Sequence, residues 1–306
     1  FTARPFTERP PPRADRRLAP PLAATMVAAA TRRDALLAAS AAFSSTLSAP
    51  AASAILPPSQ LALASRLDAS SLTLPGADGL PSFDGPLRYP NFLLGTWELT
   101  NRVQRFSMPL GANFVDDFTR FSLEDDIRRA EELRYLMRWR PGPADAEGLD
   151  AVLDRGFSGQ QEASAFLGEA VLDSKYSLPR EAPHGRLELK FAGEGGGPPI
   201  LSAIDTVWCR WAYDASRQRH ATTELLRQRV RAGGDAVEET LVESSTVFVA
   251  RDKGIVARNR QASYATPSSA AYIGLAAERA TAITDYTWSL RRVDDWRGEM
   301  AEGRAV

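Results

Sequence analysis

Along Leu93-Leu94-Gly95-Thr96-Trp97-Glu98-Leu99-Thr100-Asn101-Arg102-Val103, apolar and polar positions alternate: Trp97, Leu99 and Val103 share one face, and Glu98, Thr100 and Arg102 share the other. A period of two defines a half-buried strand, because successive side chains of an extended chain point to opposite sides. The same reading predicts strands over 133–140, 187–191, 200–213, 220–230, 236–250, 254–265 and 283–293. Short polar stretches containing glycine separate several of them, such as Arg231-Ala232-Gly233-Gly234-Asp235 and Arg251-Asp252-Lys253-Gly254. Hairpin loops between antiparallel neighbours have that composition. The order is that of a meander, not of strands alternating with crossover helices. Helical periodicity predicts insertions at 123–132 and 159–167 and a shorter one at 267–276, all peripheral to a sheet. Strands with one apolar and one polar side suit a curved antiparallel sheet. A barrel that removes its own edges is the first expectation, and a two-sheet sandwich would give much the same alternation.

The strands begin only after a long lead. Residues 1–30 are rich in Arg, Pro and Ala, a composition that suits an organelle transit segment. Thr31-Arg32-Arg33-Asp34-Ala35-Leu36-Leu37, an apolar stretch through Phe43 and Leu47, and Ala52-Ser53-Ala54 then follow in the order charged, greasy, small. Arg32 and Arg33 read as a twin-arginine export signal, and Ala52 and Ala54 as the small residues of its cleavage site. An ordinary amphipathic helix at the start of a domain is the plainer alternative. The expected organisation is a bipartite transit and twin-arginine signal at 1–54, a Pro/Ser/Gly-rich lead-in at 55–88, a strand-rich domain at 89–296 and a tail at 297–306. Pro57-Pro58, Pro75-Gly76 and Pro81 break up the lead-in, leaving room for a helical turn or two at 59–67. A two-part address of this kind resembles those of chloroplast thylakoid lumen proteins. Bacterial periplasm is the alternative, and it leaves residues 1–30 unexplained.

Composition narrows the partners. The chain has 306 residues, 44% of them hydrophobic and 25% charged, which is ordinary for a globular protein. Its formal net charge is -1, and the leader sets seven arginines against only Glu8, Asp15 and Asp34, so the remainder is acidic. Such a surface does not attract a phosphate backbone, and no nucleic acid is expected as a partner. Cys209 is the only cysteine, so an intramolecular disulfide is excluded. With His184 and His220 as the only histidines, no zinc constellation can be drawn, and neither a metal nor a cofactor is expected. After the signal no apolar run reaches the roughly 18 residues of a membrane span.

Gly95-Thr96-Trp97, preceded by Tyr89-Pro90-Asn91-Phe92-Leu93-Leu94, resembles the opening motif of the lipocalin-like, or calycin, barrels. The resemblance implies a mainly β fold, an antiparallel lipocalin-like β barrel with short peripheral helices. It also implies that Gly95 and Trp97 close one barrel end beneath an arginine of the last strand. That strand reads Tyr286-Thr287-Trp288-Ser289-Leu290-Arg291-Arg292-Val293, and alternation groups Tyr286, Trp288, Leu290 and Arg292 on one face. Arg292 rather than Arg291 is therefore expected to stack on Trp97, a contact worth roughly 0.5–2 kcal/mol. Over 89–294 the chain also resembles a cyanobacterial and plastid family described as a thylakoid lumen domain of unknown function. The residues that carry this are Tyr89-Pro90, Gly95 to Thr100, Asp154-Arg155-Gly156-Phe157-Ser158-Gly159 and Tyr286 to Leu290; the insertion at 141–149 departs from it. The resemblance implies compartment and fold, not activity.

Three roles follow. An accessory protein would bind a small lipophilic molecule or a photosynthetic membrane complex, with Trp139, Trp208, Trp211, Tyr264 and Trp288 as possible ligand-lining aromatics. The same aromatics would serve equally to fill a barrel core. A structural subunit would use the Pro-rich segment 55–90 as an extended arm. An enzyme, by resemblance to calycins that act on pigment or lipid, finds little support. Ser158 lacks the spacing of a nucleophile elbow, and Gly193 to Gly197 lacks the lysine and helix of a phosphate cradle. Asp205, Glu224 and Glu243 would make a carboxylate pair only if their faces coincide inside the barrel. No catalytic residue is assigned. His184, in Pro183-His184-Gly185, is placed where an imidazole titrating near pH 6.5 would sense acidification, or where a surface histidine would do nothing.

Overall fold

The computed structural model describes residues 63–76, 82, 86–142, 149–167, 171–193, 197–232, 237–266 and 278–294. The segment expected to be a leader, with Arg32, Arg33, Ala52 and Ala54, the expected tail and the helix expected at 267–276 lie outside the described residues. In chain order the elements are β1 (Gly95–Ser107), α1 (Asp117–Arg129), β2 (Leu133–Pro141), β3 (Ala151–Leu153), α2 (Arg155–Leu167), β4 (Val171–Ser177) and β5 (Arg186–Phe191). They continue as β6 (Ile200–Asp214), β7 (Arg219–Ala232), β8 (Val237–Arg251), β9 (Gly254–Tyr264) and β10 (Ala280–Asp294). All ten strands form one antiparallel sheet in the order β3-β2-β1-β10-β9-β8-β7-β6-β5-β4. The mainly β class and the meander are as the alternation predicts. Side chains from β2, β5 and β8 line one common cavity, which strands so far apart in the order reach only because the sheet curls strongly into a half-barrel.

Strand pairing does not join β3 to β4, so the sheet keeps two edges. Neither edge is left bare. Tyr89 bridges Ala151 on β3 through a reciprocal pair of backbone hydrogen bonds of 2.9 and 3.0 Å. Helix α2, which connects β3 to β4, packs against β2, β4 and β5 and so lies across the gap. Its Gln160 amide donates to Val171 O and its Ser164 hydroxyl accepts from Val171 N, both at 3.4 Å on the β4 edge. At its other end the Ser158 hydroxyl accepts from the Arg138 backbone N–H of β2 at 3.0 Å. Unpaired edges invite edge-to-edge association, and a covering helix blunts them. The helix approaches closely because Gly159 has no side chain: a Cβ there would stand 2.4 Å from Leu187 Cδ2.

The outer face of the sheet is also covered over β7 to β10. Residues 63–76, part of the Pro-rich lead-in, cross it as a strap. Leu63 and Leu67 pack on Ala212, Ala221 and Val247, and Leu72 packs on Leu225, Ala262, Tyr264 and Ile283. Thr73 pairs with Arg279 in an isolated bridge, and Ala280 N donates to Leu72 O at 2.9 Å. Beneath the strap lies Glu243, with 0% exposure. Its two oxygens accept from Arg66 Nε at 2.5 Å and Nη2 at 2.6 Å, from Tyr264 Oη at 2.7 Å and from Ser245 Oγ at 2.8 Å. Arg260, 1% exposed, donates to Asp285 and to the backbone carbonyls of Arg66 and Ala69. Arg66→Met strands the Glu243 carboxylate and is expected to lower stability by about 3–5 kcal/mol, most of it recovered in the Arg66→Met/Glu243→Gln double variant. Urea unfolding of the three proteins measures it.

Candidate functional site

The concave side of the sheet encloses a cavity of about 150 Å³ beneath α2. Its apolar lining includes Leu187, Leu189, Phe191, Ile200 and Leu226 from the strands and Ala163 from α2. Thr222, Gln228, Ser244, Thr246 and Gln261 supply polar groups to the same lining. Its most polar feature is the ion pair of Arg155, the first residue of α2, with Glu224 of β7, whose side chains are 14% and 12% exposed. Burial works against the charge of Arg155, and the neighbouring carboxylate more than offsets this, holding the guanidinium above the usual arginine range.

The run Asp154 to Gly159 builds this corner residue by residue. Asp154 caps α2, its carboxylate accepting from Phe157 N at 3.3 Å, and pairs with Arg138 and Arg140 of β2. Arg155 reaches Glu224, the Arg138 guanidinium lies 4.1 Å from the Phe157 ring centre, Ser158 binds β2, and Gly159 admits Leu187. Ser158 is thus a buried structural hydroxyl, with 3% exposure.

The register explains where the five aromatics go. A shift in the β6–β7 pairing between Thr206 and Trp208 places Cys209 opposite Glu224 and Trp211 opposite Thr222. This bulge carries Cys209 and Trp211 to the inner face and turns Trp208 outward, against Leu72, Leu225 and the Gly76 backbone. Tyr264 also lies on the outer face, bonded to Glu243. Trp139 and Trp288 line the cavity, and Trp211 packs at the side of the same core cluster. The three acids do not share a face. Glu224 points inward, Glu243 lies under the strap, and Asp205 pairs on the outer face with Arg186 and Arg229. Each carboxylate has an arginine rather than a second carboxylate.

At the Gly95 end, Trp97 Nε1 donates to Leu93 O at 2.7 Å, and the Arg292 guanidinium carbon lies 4.8 Å from the indole centre. Arg292 pairs with Trp97 in the β1–β10 register and also donates to Leu94 O, while Arg291 faces outward to Glu98.

Near the ion pair, His184 Nε2 lies 3.2 Å from Ser82 Oγ and Nδ1 lies 3.8 Å from Cys209 Sγ. His184 is buried, held in a loop where Gly185 has φ +126 and where the Tyr176 hydroxyl donates to the His184 carbonyl. A thiol therefore stands where a catalytic triad requires an acid. Burial, and then the Glu224 carboxylate, push the Cys209 thiol up to about 12, which keeps it protonated and non-nucleophilic at neutral pH. No group of three or more His, Cys, Asp or Glu able to hold a metal occurs among the described residues. No helix among them is long and apolar enough to cross a membrane.

The architecture defines a class: a curled antiparallel half-barrel with an internal cavity of mixed polarity closed by one helix. Residues 83–294 match the family described as Domain of unknown function (DUF6816), and the chain belongs to it. No curated protein and no solved structure matches the chain.

His220 sits behind the cavity with 0% exposure. The rings of Tyr89, Trp211, Tyr213 and Phe248 surround it at centroid distances of 5.4, 6.4, 6.1 and 6.5 Å. Burial lowers its pKa to about 3, against a smaller opposing effect of the Arg88 backbone. The unfolded chain takes up this proton near pH 6.5 while the folded one does not until about pH 3, so stability falls as pH drops through that window. Between about pH 7.5 and 4.5 the wild type is expected to lose roughly 2–3 kcal/mol more than His220→Phe, at about 1.4 kcal/mol per pH unit below 6.5. Urea titrations of both proteins at the two pH values give the difference.

Proposed function

We propose that this chain is an accessory binding protein of the thylakoid lumen that holds a small lipophilic molecule, or the ring-sized end of a larger one, between its sheet and α2. The observation that carries this reading is the cavity on the concave side of the sheet, lined by both apolar and polar side chains. Its size sets the limit. A cavity of about 150 Å³ admits a benzene-sized group. A whole pigment does not fit, whereas one ring or a short branched end does. The lumen assignment rests on the order Arg32-Arg33, apolar stretch, Ala52-Ser53-Ala54 in the leader. Among the described residues an enzyme reading finds little support, since the thiol is held protonated, the Ser158 hydroxyl is committed to β2, the Ser82 hydroxyl beside His184 is bonded to the Cys209 backbone, and the carboxylates are separated and paired.

A second reading, docking to a photosynthetic membrane complex, is favoured by one feature of the outer face. A groove of about 480 Å³ runs there between Lys175, Lys190, Arg231, Asp173 and Glu188, and Leu201 and Val237 are 47% and 43% exposed within it. Apolar side chains framed by charges of both signs suit a protein partner.

Toluene added to the full chain is expected to raise its unfolding temperature and to change the fluorescence of the cavity-lining Trp139 and Trp288. Ala163→Phe, which fills the cavity from α2, is expected to abolish both effects while far-ultraviolet circular dichroism shows the fold retained. A lipophile retained through purification with thylakoid extract and seen by mass spectrometry supports binding. Stoichiometric co-migration with a membrane complex and no retained small molecule supports the second reading instead.

A further inference from the structure

The unpaired polar atoms around the cavity carry information about ligand chemistry, in an inference that rests on the binding reading above. Trp139 Nε1, Trp288 Nε1, Gln228 Oε1 and Gln261 Oε1 are buried with no hydrogen-bond partner among the described residues, and all four side chains line the cavity. These residues are 0%, 8%, 5% and 8% exposed, so bulk water does not serve them. A buried polar atom without a partner costs about 1–3 kcal/mol, and these four border one cavity, where a ligand can reach them. The two indole groups can only donate, and the two amide oxygens can only accept. The Gln228 amide nitrogen donates to Ser202 Oγ at 2.8 Å, which leaves its oxygen as the unpaired end.

Charge narrows the class further. Arg155 is already matched by Glu224, so neither is available to a ligand ion without stranding its partner. The remaining ionisable group with a carboxylate on the cavity, Glu162, is only half-buried and accepts from the Tyr135 hydroxyl at 3.3 Å. An anion would meet that carboxylate. A cation would meet Glu162 only at its half-buried position, where it already accepts from Tyr135, and against the amides, hydroxyls and hydrocarbon of the remaining lining an unpaired buried charge is strongly unfavourable.

We propose that the cavity selects an uncharged molecule with an apolar, ring-sized body that bears both a hydrogen-bond acceptor and a hydroxyl or N–H donor. The acceptor takes an indole N–H of Trp139 or Trp288, and the donor serves the amide oxygen of Gln228 or Gln261.

Calorimetric titration of the full chain with size-matched probes tests this: toluene, p-cresol, benzyl alcohol, benzoate and benzylammonium. The two alcohols are expected to bind roughly tenfold more tightly than toluene, as one or two net hydrogen bonds imply, and more tightly than either ion. In Gln228→Met and Gln261→Met, close in shape to the native side chains, the ratio of alcohol to toluene affinity measured within the same variant is expected to fall to about one. Equal affinity for toluene and the alcohols, or a preference for benzoate or benzylammonium, overturns the proposed class while leaving the cavity a binding site. Failure of all five probes, toluene included, brings down the binding reading and the inference with it.

Discussion

An open sheet of ten strands leaves two rows of backbone groups to be covered, and most of the site follows from how one helix covers them. Helix α2 connects the two edge strands and lies over the gap between them, bonded to β2 at its start and to β4 further along. The arrangement obliges its first turn to face inward, which is where Arg155 enters the cavity. A cation in the first turn of a helix opposes the helix dipole by about 0.3–1 kcal/mol, so the position is not chosen for helix stability. The Asp154 cap and the Glu224 carboxylate supply the compensating negative charge. The same pair ties the helix to the centre of the sheet at β7, and edge covering and cavity formation become one structural event.

The second constraint is that the middle strands are buried on both sides. Over β7 to β9 the inner face borders the cavity and the outer face lies under the strap of residues 63–76. Where the strap covers them these strands have no free side for charged groups, so a charge buried there must be paired where it stands. Glu243 and Arg260 are paired beneath the strap, and Glu224 is paired beneath α2. A lead-in that reads as a Pro-rich arm is, over its described part, a layer of the fold.

Much of this architecture was legible because period-two alternation is a local property. Every strand with a sustained pattern is present, with ends moved by a few residues, and β1 shows it plainly in Trp97, Leu99 and Val103. Two strands escaped for physical reasons. β3 has three residues, and β4 shows no sustained alternation because it lies on an edge where only Val171 is buried. The face of each aromatic was less accessible. The bulge in β6 inverts inside and outside between Thr206 and Trp208, and no local pattern announces it, so Trp208 and Trp211 could not be told apart. The strap was hidden likewise: Leu225, Ala262 and Ile283 look like surface positions on strands until a distant segment covers them. The Asp154 to Gly159 run was visible as a motif, yet its meaning depends on contacts with β2, β5 and β7.

Glu243 and Glu224 show why a buried acid–arginine pair does not by itself define a site. Both sit on neighbouring central strands and both are paired to an arginine from outside the sheet. Glu243 is saturated by four donors and covered by packed side chains, so its chemistry ends in holding the strap. Glu224 borders a cavity whose other walls carry unpaired donors and acceptors. The difference lies in the cavity beside Glu224, where unfilled hydrogen-bonding capacity can meet a ligand, not in the pair itself. Stability needs that capacity exhausted, whereas recognition needs some of it left over.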